Sequence, residues 1–101
     1  MLFKFSADET QVILKACEGH SYTGKKPGFL EKVQKSLSLS GQQLRELVRY
    51  LQNIATVSIS SATVGCGIVY RRYMACAFHA MKALDVCNSL NNSPLKWEGF
   101  L

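Results

Sequence analysis

The sequence lacks an uninterrupted apolar run of the ~20 residues that a membrane-spanning helix requires. Its nearest approach, the uncharged stretch 54–70, is diluted by serine and threonine, so no membrane partner is expected. It also lacks a basic stretch followed by an apolar core at its start, because Met1 leads straight into an amphipathic segment. A cytoplasmic location with reduced thiols is the expectation, and Cys17, Cys66, Cys76 and Cys87 are expected to form no disulfides. No nucleophile elbow, histidine–glutamate metal helix or dinucleotide fingerprint occurs, and the seven acidic residues show no catalytic pairing. An enzyme is therefore not expected, nor is a cofactor or a metal. Internal repeats, low-complexity segments and long runs of one charge are missing as well.

What is present suits one small globular domain over residues 1–101, with 91–101 as a C-terminal tail. Apolar residues make up 48% of the chain and charged residues 19%, a balance that supports a packed core. Twelve lysines and arginines against seven acids leave a net charge of +5, which biases encounters toward polyanions or acidic proteins. The cations are dispersed, as Lys25 and Lys26, Lys32 and Lys35, Arg45 and Arg49, and Arg71 and Arg72.

The expected fold is all-α, a compact bundle of four or five helices, with residues 1–5 as a brief strand or as carriers of Phe3 and Phe5 to the core. Ser6 and Glu9 form a capping-box pair, with Asp8 favourable in the first turn, and predict a helix over Ala7–Glu18 that Gly19 stops. Residues 19–28 hold three glycines and a proline and read as a loop. Phe29, Leu30, Val33 and Leu37 mark a short second helix ending at Ser38. Ser40 and Gln43 are a second capping-box pair, starting a helix with Leu44, Leu47, Val48 and Leu51 along one stripe. Over 54–70 periodicity does not choose between a strand through Val57 and Ile59 and a continuing helix. From Cys66 onward, Cys66, Val69, Tyr73, Cys76, Ala77, Ala80, Leu84 and Cys87 fall on one face of a long last helix, whose small residues suit close helix packing, inside a bundle or across a dimer. Asn91, Asn92, Ser93 and Pro94 break that helix, and Leu95, Trp97, Phe100 and Leu101 are expected to fold back on the core.

Residues 33–48 resemble the core of a helix-turn-helix unit. Val33 and Leu37 match the inward points of its first helix, Leu39 the apolar turn residue, Ser40 the cap, and Leu44, Leu47 and Val48 the inner face of its second helix. Gln34 departs from the small residue usual at the helix crossing, and Ser38 from the usual turn glycine. The resemblance implies that Gln42, Gln43, Arg45 and Arg49 face a major groove, with Glu46 opposing phosphate in their midst. Lys32, Lys35, Arg71 and Arg72 would extend the phosphate contacts, and dimerisation is expected because one helix in one groove buries little surface. The first expectation is thus a small basic nucleic-acid-associated regulator. The alternative is a non-catalytic protein-binding module, such as a viral or mobile-element inhibitor of a nucleic-acid-processing complex.

Two further patterns carry less weight. Cys17 with His20 and Cys76 with His79 repeat a Cys-x-x-His spacing that zinc sites use. Cys76, however, shares an apolar stripe with Cys66 and Cys87, where a buried inert thiol sits, and no metal is assigned. The segment Tyr22-Thr23-Gly24-Lys25-Lys26 has the makings of an anion-binding turn but lacks the other glycines of a phosphate loop, and is read as a solvated turn.

Overall fold

A computed structural model of the chain describes residues 2–18, 22–35 and 38–91, the side chains of Leu90 and Asn91 excepted. Its first ordered contact links the start of the chain to residues far along it. β1 (Leu2–Phe3) pairs antiparallel with β2 (Leu39–Ser40), with Leu2 opposite Ser40 and Phe3 opposite Leu39. Phe3, Phe5 and Leu39 are buried, so the brief expected strand and the core role of the phenylalanines both hold. The rest is helical, in the order α1 (Ala7–Ala16), α2 (Leu30–Gln34), α3 (Gly41–Val64) and α4 (Ile68–Asn91). The architecture is a mainly α-helical bundle.

Both capping boxes form as the side chains dictate. Ser6 Oγ accepts from the Glu9 N–H at 3.2 Å while Glu9 Oε1 accepts from the Ser6 N–H at 2.8 Å. Ser40 and Gln43 repeat the exchange at 3.2 and 3.0 Å. Each box satisfies two backbone donors that a helix start otherwise leaves open. α1 stops two residues short of the expected Glu18, with Cys17 as its C-cap donating to the carbonyls of Ile13 and Leu14. α2 is shorter than expected, five residues instead of Phe29–Leu37. Phe29 is buried as its N-cap and makes no side-chain cap bond; Leu37 lies outside the described residues.

The undecided stretch 54–65 is the second half of α3 as far as Val64. Ile54, Ala55, Ser58 and Ala62 are buried and continue the stripe of Leu44, Leu47, Val48 and Leu51 by steps of three and four. Tertiary packing on this stripe outweighs the strand preference of Val57 and Ile59. Gly65, Cys66 and Gly67 then reverse the chain. The Gly65 N–H donates to the Ala62 carbonyl at 3.2 Å, and Gly67 takes a left-handed φ of 60°, which a side chain would strain. α4 therefore returns antiparallel along α3, and this pair forms the largest contact in the molecule.

The α4 face is where expectation and structure part most. Ala77, Ala80 and Cys87 are buried as expected, and Ala83 joins them. Tyr73, Cys76 and Leu84 are only half-buried, while Cys66 and Val69 are exposed. Cys66 belongs to the reversal, not the helix. α1 packs on α4 beside His79 and Lys82, so among the described residues the first turns of α4 lean mainly on α3. The alanine seam lets the helices approach closely. No described helix is long and apolar enough to cross a membrane.

Candidate functional site

Of the eight residues singled out from the sequence, Lys32, Lys35, Gln42, Arg45, Arg49, Arg71 and Arg72 are exposed. Gln43 is half-buried, and its Oε1 is engaged with the Ser40 N–H in the cap. Gln42, Arg45, Glu46 and Arg49 share the outward face of α3, since the buried stripe of Leu44, Leu47, Val48 and Leu51 holds the opposite side. Neither Arg45 nor Arg49 has an ion pair among the described residues. Arg71 and Arg72 sit elsewhere, in the first turns of α4 near the chain reversal. At ~1.5 Å per residue they lie on the order of 18–24 Å along the hairpin axis from Arg49 and Arg45. The eight residues are thus spread over three helices, Lys32 and Lys35 at α2, Gln42, Gln43, Arg45 and Arg49 on α3, and Arg71 and Arg72 on α4.

For the helix-turn-helix-like window, α2 packs on α1, Gln34 is exposed, and Leu39 lies in β2, fully buried. Ser36 and Leu37 lie outside the described residues.

The loop beginning at Tyr22 crosses over α3 and makes a cleft of about 360 Å³ with it. Lys25 and Lys26 line it from the loop, and Glu46, Arg49, Tyr50 and Asn53 from the helix. Asn53 Nδ2 donates to Tyr22 Oη at 3.3 Å, and the Tyr22 and Tyr50 rings lie tilted with centroids 5.6 Å apart. These contacts hold the loop against the helix. Burial raises the Tyr50 phenol above its ordinary range and keeps it neutral. A Cβ on Gly24 would fall on the outer end of the Tyr22 ring, so the ring keeps this position only with glycine there. From local pattern alone Lys25 and Lys26 belong to a solvated turn; the tertiary path of the loop brings them to the cleft that Arg49 lines.

A second surface was not visible as such in the sequence. Tyr70, Met74, Phe78 and Met81 recur by four, four and three, which aligns them along one side of α4. All are exposed, Phe78 at 57%. At the reversal Val64 and Ile68 stand out at 89% and 82%. Lys82 Nζ rests 4.8 Å from the centroid of the Phe78 ring, a cation–π contact that shields one edge of the stripe. Arg71, Arg72 and Lys82 border this surface, and Asp85, four residues beyond Met81, closes its far end, so positive charge predominates around it. The missed signal was that apolar residues in 68–87 occupy more than one helical face.

All four cysteines are free. Burial pushes the Cys17 thiol up to about 11, and the Cys87 thiol up to about 12. His20, half of one Cys-x-x-His pair, lies outside the described residues, and among the described residues no three histidine, cysteine or acidic side chains gather as a metal site. The tail residues Leu95, Trp97, Phe100 and Leu101 also lie outside them. No protein-family model, curated protein or solved structure matches the chain.

Proposed function

We propose that the chain is a non-catalytic protein-binding module that docks a partner helix along the exposed stripe of α4. One observation carries this reading: Tyr70, Met74, Phe78 and Met81 align on α4 away from its buried residues Ala77, Ala80, Ala83 and Cys87, and nothing among the described residues buries them. Contiguous apolar exposure of this kind marks interaction surfaces more often than scattered single side chains do. Aromatic and methionine side chains are the types enriched at interface centres. The occupant is an amphipathic helix of a different protein, apolar on one face and mainly acidic at its margins, because Arg71, Arg72 and Lys82 outnumber Asp85 around the stripe.

Affinity capture on the tagged protein, with and without nuclease, tests this. The expected result is a partner that survives nuclease, is retained by wild type, and falls at least tenfold, about 1.4 kcal/mol, with Met74→Glu or Phe78→Glu. Circular dichroism checks that these variants stay folded. Unchanged capture by both variants would remove the reading, as would a concentration-dependent homodimer in light scattering that Phe78→Glu abolishes.

A second reading, a nucleic-acid-associated regulator, is favoured by the exposure of Arg45 and Arg49 without ion pairs. It requires duplex binding that weakens steeply with added salt and is lost in Arg45→Met.

A further inference from the structure

We infer that the cleft between the Tyr22–Gly28 loop and α3 is a binding site for a phosphate group carried on a small ligand. Lys25 and Lys26 enter from the loop and Arg49 from the helix, so two elements far apart in sequence converge on one concavity. Glu46 is the single carboxylate among the described residues that line it, against three cations, although Lys26 also borders a neighbouring cleft that holds Glu18 and Glu31. The excess of cations in the lining matches a phosphate monoester, which carries about −1.5 to −2 near neutral pH. The arginine offers a planar fork of donors that meets two phosphate oxygens at once, and the lysines act as movable point charges. A volume of about 360 Å³ leaves room for more than the phosphoryl group itself. The Tyr22 ring and the Asn53 amide line the remaining wall, an aromatic edge and an amide suited to the organic part of such a ligand.

The cleft is also built in advance of any ligand. The Asn53–Tyr22 hydrogen bond and the Tyr22–Tyr50 ring contact fix the loop that carries both lysines. Gly24 lets the Tyr22 ring lie over the backbone at that point. A loop so held loses less freedom on binding than a mobile one, and this favours small ligands over extended ones. The site is separate from the α4 stripe and stands or falls without it.

The experiment is an NMR titration of the full chain with sodium phosphate, then with adenosine monophosphate, each against sodium chloride at matched ionic strength. Saturable shifts centred on Lys25, Lys26 and Arg49 are expected for both phosphates and not for chloride. Arg49→Met should weaken binding roughly tenfold, and Glu46→Gln, which removes the carboxylate lining the cleft, should tighten it by roughly threefold to tenfold. Gly24→Ala should weaken it by displacing the Tyr22 ring while circular dichroism stays unchanged, and Phe78→Glu should leave it as in wild type. Equal shifts with chloride, or indifference to both Arg49→Met and Glu46→Gln, would overturn the site. It would also be overturned if only a DNA duplex bound and Arg45→Met cost as much as Arg49→Met, since that result describes a polyanion surface.

Discussion

Cys17 and Cys87 are small, buried and apolar in their surroundings, and the low polarity around them sets their proton affinity. Burial holds the folded-state values at about 11 and about 12 against an ordinary 9.0. A raised value means that the folded chain keeps a proton that the unfolded chain releases. Each thiol's contribution to stability is therefore fully present below pH 9 and drains away as pH climbs through 9 toward 11 for Cys17 and 12 for Cys87. The loss approaches ~1.4 kcal/mol per pH unit per thiol within those windows. Urea midpoints at pH 8, 9 and 10 should fall faster for wild type than for the Cys17→Ala/Cys87→Ala double variant. Parallel slopes would refute the assignment. At neutral pH a thiol reagent should modify exposed Cys66 rapidly and reach Cys17 and Cys87 only on unfolding.

Among the helices, α3 and α4 carry the fold, and their contact rests on alanines. Ala80 is fully buried on α4, with buried Ala77 and Ala83 a turn to either side. Ala80→Leu adds volume to a seam with no room for it and should destabilise by ~1–3 kcal/mol, read as a lowered urea midpoint. The same change at exposed Ala75 should cost little.

At this scale the sequence is most readable where one local signal suffices. Ser6 with Glu9 and Ser40 with Gln43 announced both helix starts, because a capping box lies within four consecutive residues. The stripe from Leu44 to Leu51 announced the inward face of α3. Residues 54–64 did not announce themselves, since β-branched Val57 and Ile59 favour strands and only packing against α4 decides for helix. α4 misled in part: its apolar residues surround the axis, so a choice of buried face needs knowledge of what packs on it. The split between Arg45/Arg49 and Arg71/Arg72, and the meeting of Lys25 with Arg49, depend on chain reversal and loop path, which no local pattern records.

For the molecule as a whole, the two candidate surfaces divide the labour of the net charge of +5. Lys25, Lys26 and Arg49 face a cleft, whereas Arg71, Arg72 and Lys82 border an apolar stripe. Added salt should weaken ligand capture at both places, but removing apolar contacts should affect only the second.

The reversal at Gly65–Gly67 has a kinetic side. Joining two 24-residue helices by three residues makes their mutual contacts nearly local, and closing so short a connection costs little chain entropy. The hairpin should therefore assemble early, as a template on which α1 and the β1 strand later settle. In stopped-flow measurements Leu51→Ala should slow refolding, while Ile13→Ala should chiefly hasten unfolding. A nascent chain would then hold β1 and α1 in waiting until the second long helix has left the ribosome, since before that α1 has little to grip.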